Sequence, residues 1–290
     1  MKSLFVLCLL SSTVPTLTDA QRSFNPFSRI VHKPANHASP EQYPWHVFIS
    51  SVRCSGVLVR ERWILTSAFC VQALAQNTSV GLFPGKGARE SDRTTVFIRV
   101  GNHHIDLEIP GADSVPLLEK FVYPRYNVNT SVGNFGLLYL ARDVMLPNDQ
   151  SLSRIELPSL KFVNSILRAT NRLAKVTGWG HNSARRKAPF RTLREDTVLL
   201  ARVCLQRFTD GVNHRELVDK SWCVMAGTRG MCSTDQGSPL VIQRNHSWVI
   251  IGVYSRGETC VSGKGATLFS RIDSKVLEWM QTLFTAGGER

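Results

Sequence analysis

The chain has 290 residues, 43% of them hydrophobic and 20% charged, with a formal net charge of +13. That length suffices for one large or two modest domains, and the apolar fraction is ordinary for a protein with a buried core, which excludes a disordered or fibrous chain. The positive balance suits acidic glycans, anionic membranes or acidic proteins as partners, or a basic surface that serves solubility alone.

In chain order, Lys2, the apolar run Leu4-Phe5-Val6-Leu7-Cys8-Leu9-Leu10 and the small-residue site Thr18-Asp19-Ala20 read as a secretory signal peptide over residues 1–20. The run is too short to span a bilayer and no later stretch reaches that length, so a soluble, secreted, extracellular protein without a transmembrane segment is expected. Short β-type runs follow at His46–Ile49, Cys54–Val59 and Thr94–Val100. Between the last two, residues 76–93 are Gly-rich and polar, as in a loop. Ala174–Thr177 leads into Gly178-Trp179-Gly180, and Trp248–Tyr254 reads as a longer buried strand. Many short strands with Gly and Pro punctuation predict an all-β barrel or sandwich. Residues 181–194 hold Arg185, Arg186, Lys187, Arg191 and Arg194, a basic loop that is the best local candidate for an anionic partner, or else a solvated loop. Ile272, Val276, Trp279, Met280 and Leu283 share one face of a C-terminal amphipathic helix, with Asp273 and Ser274 as its start signals.

Of seven cysteines, Cys8 leaves with the signal. Cys54, Cys70, Cys204, Cys223, Cys232 and Cys260 remain, an even set that suggests three disulfides and by counting alone leaves fifteen pairings open. Neither a Cys-x-x-Cys nor a His-x-x-x-His pair occurs, so no metal and no other cofactor is expected. Asn77, Asn129 and Asn245 each begin an Asn-x-Ser sequon, a candidate glycosylation site on a surface loop. Nucleic acid is not an expected partner of an exported chain with no recognition motif.

From Arg29 to about Leu283 the sequence resembles the trypsin/chymotrypsin family of serine proteases. Arg29-Ile30-Val31, Pro44-Trp45, Cys54-Ser55-Gly56, Trp63–Cys70, Asn134–Leu140, Gly178-Trp179-Gly180 and Cys232–Leu240 stand in that family's order. The resemblance implies two packed six-stranded antiparallel β-barrels, over roughly 30–150 and 160–270, with a C-terminal α-helix. It implies a short pro-segment at 21–29 and a homology domain at 30–285. It selects the pairings Cys54–Cys70, Cys204–Cys223 and Cys232–Cys260.

It also locates the catalytic positions, and each holds another residue type. Phe69 stands for the histidine, Asn134 for the aspartate and Gln236 for the serine. A phenyl ring accepts no proton, a carboxamide carries no charge to stabilise an imidazolium, and a glutamine does not attack a carbonyl. Thr234 replaces the oxyanion-hole glycine, Gly230 the pocket-base aspartate, Thr267 a pocket-wall glycine, and Arg256 the tryptophan after Ser255. Ser238, His103 and His104 offer poor replacements. Asn102 replaces the leading acid of the family's calcium loop. Arg29-Ile30 is a candidate activation cleavage site, with Asp235 the carboxylate that would receive the new amine, although His32-Lys33 replaces the usual Gly-Gly. The expectation is a protein that is not an enzyme: an inactive homologue that binds proteins, proteases or other homologues among them, as cofactor or regulator in a protease cascade, innate immunity or reproduction. A basic glycan- or microbe-binding protein and an atypical serine hydrolase with residual activity are the alternatives.

Overall fold

The computed structural model describes residues 36–39, 42–76, 98–100, 115–144, 153–168, 172–183, 186–189, 192–201, 214–225, 235–257 and 266–288. The first half of the chain forms β1 (Asn36–His37), β2 (His46–Ile49), β3 (Cys54–Arg60), β4 (Trp63–Thr66), helix α1 (Ala68–Gln76), β5 (Ile98–Val100), β6 (Leu117–Val122) and β7 (Gly136–Leu140). The second forms α2 (Leu160–Arg168), β8 (Leu173–Gly178), β9 (His181–Ser183), β10 (Arg186–Pro189), β11 (Arg194–Leu200), α3 (His214–Lys220), β12 (Ser221–Met225), β13 (Pro239–Arg244), β14 (Ser247–Gly257), β15 (Ala266–Arg271) and α4 (Ser274–Gly288).

Strands from the first half pair in the order β5-β2-β3-β4-β7-β6, a six-stranded antiparallel sheet. Its central strands are buried on both faces, which is why Val57, Leu58, Ile64, Leu65, Leu137 and Leu138 run together without polar alternation. Edge strand β6 alternates half-buried and exposed residues over its first four positions, as a strand with one wet face does.

In the second half, β8 pairs with both β13 and β11, so β11-β12-β15-β14-β13-β8 closes on itself into a six-stranded barrel. Closure leaves no free edge within the ring. Among the described residues it is joined by β1, which crosses from the first half and pairs with β11 through Asn36↔Glu195 and His37↔Arg194. The basic stretch read as a loop at 181–194 instead supplies a two-stranded ribbon, β9–β10, and the start of β11.

The C-terminal helix is capped by Asp273, whose Oδ1 accepts the Lys275 and Val276 N–H groups at 2.9 and 3.0 Å. Its other oxygen meets Lys220 Nζ at 2.7 Å, and these donors hold the Asp273 carboxyl below its usual range against the opposing effect of burial. Val276, Met280 and Phe284 are the buried residues of α4, with Trp279 and Leu283 half-buried beside them. The helix lies on the first sheet: Phe284 meets Trp63 edge-on, with centroids 5.3 Å apart. Tyr139 Oη donates to the Gly287 carbonyl at 2.9 Å.

Among the described residues, three shorter helices went unanticipated. In α1, Ser67 Oγ accepts the Cys70 N–H at 3.2 Å and caps the first turn. A disulfide joins Cys54 on β3 to Cys70, with Cα atoms 6.1 Å apart across a separation of 16 residues. A closed loop of that size contributes about 3 kcal/mol by restricting the unfolded chain. Cys223 is also disulfide-bonded, to a partner outside the described residues, where Cys204, Cys232 and Cys260 lie.

Candidate functional site

The loop that carries Gln236 lies where the first sheet meets the second barrel. Its backbone is stitched to both. Ser55 N–H, on β3, donates to the Gln236 carbonyl at 2.7 Å, and Ser238 N–H donates to the Asp235 carbonyl at 2.9 Å. Tyr254 N–H, on β14, donates to the Ser238 carbonyl at 2.8 Å. Gly237 sits between them at φ +85°, in the left-handed region, and a Cβ there would fall 1.9 Å from the Ser55 carbonyl oxygen. Only glycine fits that turn.

Asp235 is 4% exposed, and its Oδ1 accepts the Gly180 N–H at 2.9 Å. The segment Gly178-Trp179-Gly180 wraps this carboxylate so closely that a Cβ on Gly178 would lie 2.2 Å from Asp235 Oδ1. Trp179 is buried between the halves, edge-on to His46 at 4.7 Å and to Phe48 at 5.2 Å. Each such aromatic contact adds about 1 kcal/mol beyond area burial.

The three positions matched to the family's catalytic residues are brought into this seam. Asn134 is 1% exposed and bridges the halves. Its Oδ1 accepts the Phe69 N–H at 3.0 Å, and its own N–H donates to Ser270 Oγ on β15 at 3.0 Å. Phe69 therefore sits in the first turn of α1 with its backbone fixed by Asn134 while its side chain is 49% exposed. Gln236 turns Nε2 onto the Ser255 carbonyl at 3.3 Å; its Oε1 is buried with no hydrogen-bond partner among the described residues. Ser255 Oγ in turn donates to the Ser131 carbonyl at 2.6 Å, tying β14 to the turn 123–133. On that turn Val128 is 63% exposed. The Asn129 sequon lies there too, and the Asn245 sequon occupies the exposed β13–β14 turn.

Ser238, the nearest replacement hydroxyl, is fully buried, and its Oγ has no partner among the described residues. A hydroxyl–imidazole pair escaped the sequence reading: Thr177 Oγ1 and His46 Nδ1 are 2.8 Å apart, both residues 1% exposed. Burial pushes the His46 imidazole down to about 3, so it is neutral, and its Nε2 has no hydrogen-bond partner among the described residues. Nothing in His46-Val47-Phe48-Ile49 distinguishes a buried histidine from a surface one; only the packing of β2 against Trp179 does. Burial and then the Asp235 charge push the Tyr254 phenol up.

A further cluster was also invisible in sequence. Glu195 takes hydrogen bonds from Tyr43 Oη and, at 3.0 Å, from Gln42 Nε2, and it pairs with Lys175 Nζ at 3.0 Å. Beside it, burial raises the Asp196 carboxyl to about 6. Thr267, the pocket-wall position, is buried on β15, and Arg256 is half-buried on β14. Arg29, Ile30, Asn77, Asn102, His103, His104, Arg185, Arg191, Gly230 and Thr234 lie outside the described residues, as do the side chains of Arg186 and Lys187. No group of three or more His, Cys, Asp or Glu side chains that could hold a metal ion occurs among the described residues.

Comparison with known proteins adds kinship to this geometry. Vitamin K-dependent protein C of Oryctolagus cuniculus is 24% identical over 249 residues, covering 82% of this chain and 49% of the relative. The protein of the same name from Mus musculus is 24% identical over 273 residues, covering 91% and 54%. The chain thus spans about half the length of the curated relatives it matches. The family model named Trypsin matches residues 34–280. These matches correct one expectation. Residue types at Phe69, Asn134 and Gln236 pointed to a protein that is not an enzyme, yet its kin are a family of serine proteases, and that kinship overturns a negative drawn from three side chains. With a match over the greater part of its length, and with a closed barrel, a companion sheet and a C-terminal helix to accord with it, the chain belongs to the trypsin family.

Proposed function

We propose that the protein is exported and works by holding a protein partner against the face that carries Phe69, as a cofactor or regulator of an extracellular process such as a protease cascade, innate immunity or reproduction. One observation carries this reading: a half-exposed phenylalanine, its backbone bonded to buried Asn134, stands at the mouth of the seam between the two halves. Its backbone is fixed by Asn134, and Cys70 beside it is fixed by the disulfide to β3. Rigid aromatic side chains with little entropy to lose are the usual anchors of protein interfaces. The leader-like start of the sequence and the Cys54–Cys70 bond support an oxidising, extracellular setting. No helix among the described residues is long and apolar enough to cross a membrane.

The test is capture from the native extracellular fluid with the unaltered protein and with Phe69→Ala side by side. A partner held by the first and bound at least about tenfold more weakly by the second is expected, since an anchoring aromatic contributes about 2 kcal/mol or more. Equal capture by both sinks the assignment to this face.

Membership of a protease family favours a second reading, a serine hydrolase working through unorthodox residues. Fluorophosphonate labelling of the secreted protein, with a broad peptide-substrate screen, addresses it directly. Labelling of a serine that disappears when that serine is changed to alanine would replace the binding reading.

A further inference from the structure

From Leu157 to Arg194 the chain contains nine lysines and arginines and not one aspartate or glutamate. The fold divides these cations. Lys175 is neutralised by Glu195 on the neighbouring strand β11. Lys161, Arg168 and Arg172 stay exposed, and a fourth exposed cation, Arg244, joins them from the end of β13. On α2, Lys161 and Arg168 are seven residues apart, so they share the crest of the helix about 10 Å apart along its axis. The opposite face, with Val163 and Ile166, is buried. Arg172 and Arg244 lie at one end of the barrel. Strands β8 and β13 are antiparallel with Val241 opposite Lys175, so the start of β8 and the end of β13 share that end. Arg244 connects the two groups, its guanidinium lying 5.1 Å from the centre of the Phe162 ring on α2.

None of these four cations has an ion-pair partner among the described residues. The nearest carboxylate before α2 in the chain, Glu156, bridges to Val249 on β14, the strand beyond β13, so two strands separate it from Arg172. A guanidinium stacked on a ring keeps its outer N–H fork free to take a sulfate or carboxylate in bidentate fashion. Two half-exposed leucines, Leu160 and Leu173, flank the patch, 46% and 52% exposed. That is too little apolar surface to drive insertion into a bilayer.

We propose that the surface formed by Lys161, Arg168, Arg172 and Arg244 is a binding site for a linear sulfated polysaccharide, separate from the Phe69 face. The chain of a polyanion lies across the crest of α2 and the adjoining end of β8 and β13. This places the anion site on a helix and a strand end, not on the 185–194 stretch that its arginine density singled out.

The experiment uses the full secreted protein on immobilised heparin. The unaltered protein should elute well above about 0.15 M salt, where surface charges more than about 8 Å apart are screened. A variant with Lys161→Gln, Arg168→Gln, Arg172→Gln and Arg244→Gln keeps the Asn245 sequon and should bind roughly tenfold more weakly or worse. A variant of equal charge loss, Arg185→Gln, Arg186→Gln, Lys187→Gln and Arg191→Gln, should shift less. Equal shifts would mean that net charge alone acts, and a larger shift for the second variant would return the site to the ribbon; either overturns the proposal. So does elution of the unaltered protein at or below about 0.15 M salt. Competition by unsulfated hyaluronan as effective as by heparin would remove the sulfate requirement and overturn it as well. Binding to phosphatidylserine vesicles in the absence of heparin retention would replace the polysaccharide by a membrane. Should the fourfold variant fold poorly, Lys161→Gln with Arg168→Gln, both on the exposed crest of α2, carries the same comparison at about half the effect.

Discussion

Two regions of the seam between the halves differ sharply. The inner part, Ser55, Gly178 to Gly180 and Asp235 to Ser238, has hardly any freedom: Gly178 and Gly237 admit no Cβ and its backbone groups are bonded across the boundary. The outer part, with Phe69 half exposed and Val128 mostly exposed, is held by its backbone and presents its side chains outward. In a close-packed junction, geometry dictates residue type. At the mouth, the same backbone carries phenylalanine or another residue with little consequence for folding. Side chains there are open to change by function, and those of the inner part are not.

The comparison breaks most visibly if the inner part tolerates a methyl group. Gly237→Ala combines a left-handed φ with a Cβ 1.9 Å from the Ser55 carbonyl oxygen, and a loss of about 4 kcal/mol or failure to fold is expected in denaturant titrations. A cost under about 1 kcal/mol would show the junction to be looser than its contacts imply. Next, replacing Cys54 and Cys70 together by alanine removes the tether behind Phe69 and should cost about 3 kcal/mol. Partner binding should weaken beyond what the fraction unfolded explains.

Acid should act on the packing around the inner part through His46. His46 is neutral in the folded state, with its pKa held down to about 3, whereas an unfolded histidine titrates near 6.5. Unfolding takes up a proton between those values, so this group makes stability fall as pH drops from about 6.5 towards 3, by roughly 1 kcal/mol per pH unit. Asp196 works in the opposite sense. Its carboxyl is raised to about 6, so the folded state keeps a proton that the unfolded state releases between about pH 4 and 6, and stability from this group is lost as pH rises through that window. Asp196→Asn should therefore steepen the acid loss, and His46→Gln should flatten it. An unchanged slope in His46→Gln would remove His46 from the account. The smallest effect belongs to the outer part: Phe69→Ala should change stability by no more than about 0.5 kcal/mol while it weakens the partner complex.

Much of this fold was legible because its signals are local. Runs such as Cys54–Val59 and Trp248–Tyr254 carry enough buried-type residues to be strands in any context, and Asp273 followed by the 276, 280 stripe announces a helix. The helix α2 is short, nine residues, and its stripe of Phe162, Val163, Ile166 and Leu167 covers little more than two turns, which is why it was passed over among the strands. The ribbon at β9 and β10 was missed because arginine-rich strands look like loops.

By itself, the sequence determined the family and the positions to inspect, because motif order and cysteine spacing survive along one dimension. It also determined the residue types that occupy Phe69, Asn134 and Gln236. Tertiary structure decided what surrounds them. It buried Asn134, Ser238 and His46, left Phe69 outside, and gave Lys175 a partner while leaving Lys161, Arg168, Arg172 and Arg244 exposed without one among the described residues. Burial and charge pairing are set by which strands become neighbours. Strand β11 reaches β8 across the β9–β10 ribbon, whereas β2 and Trp179 are far apart in the chain and meet only when the two halves pack.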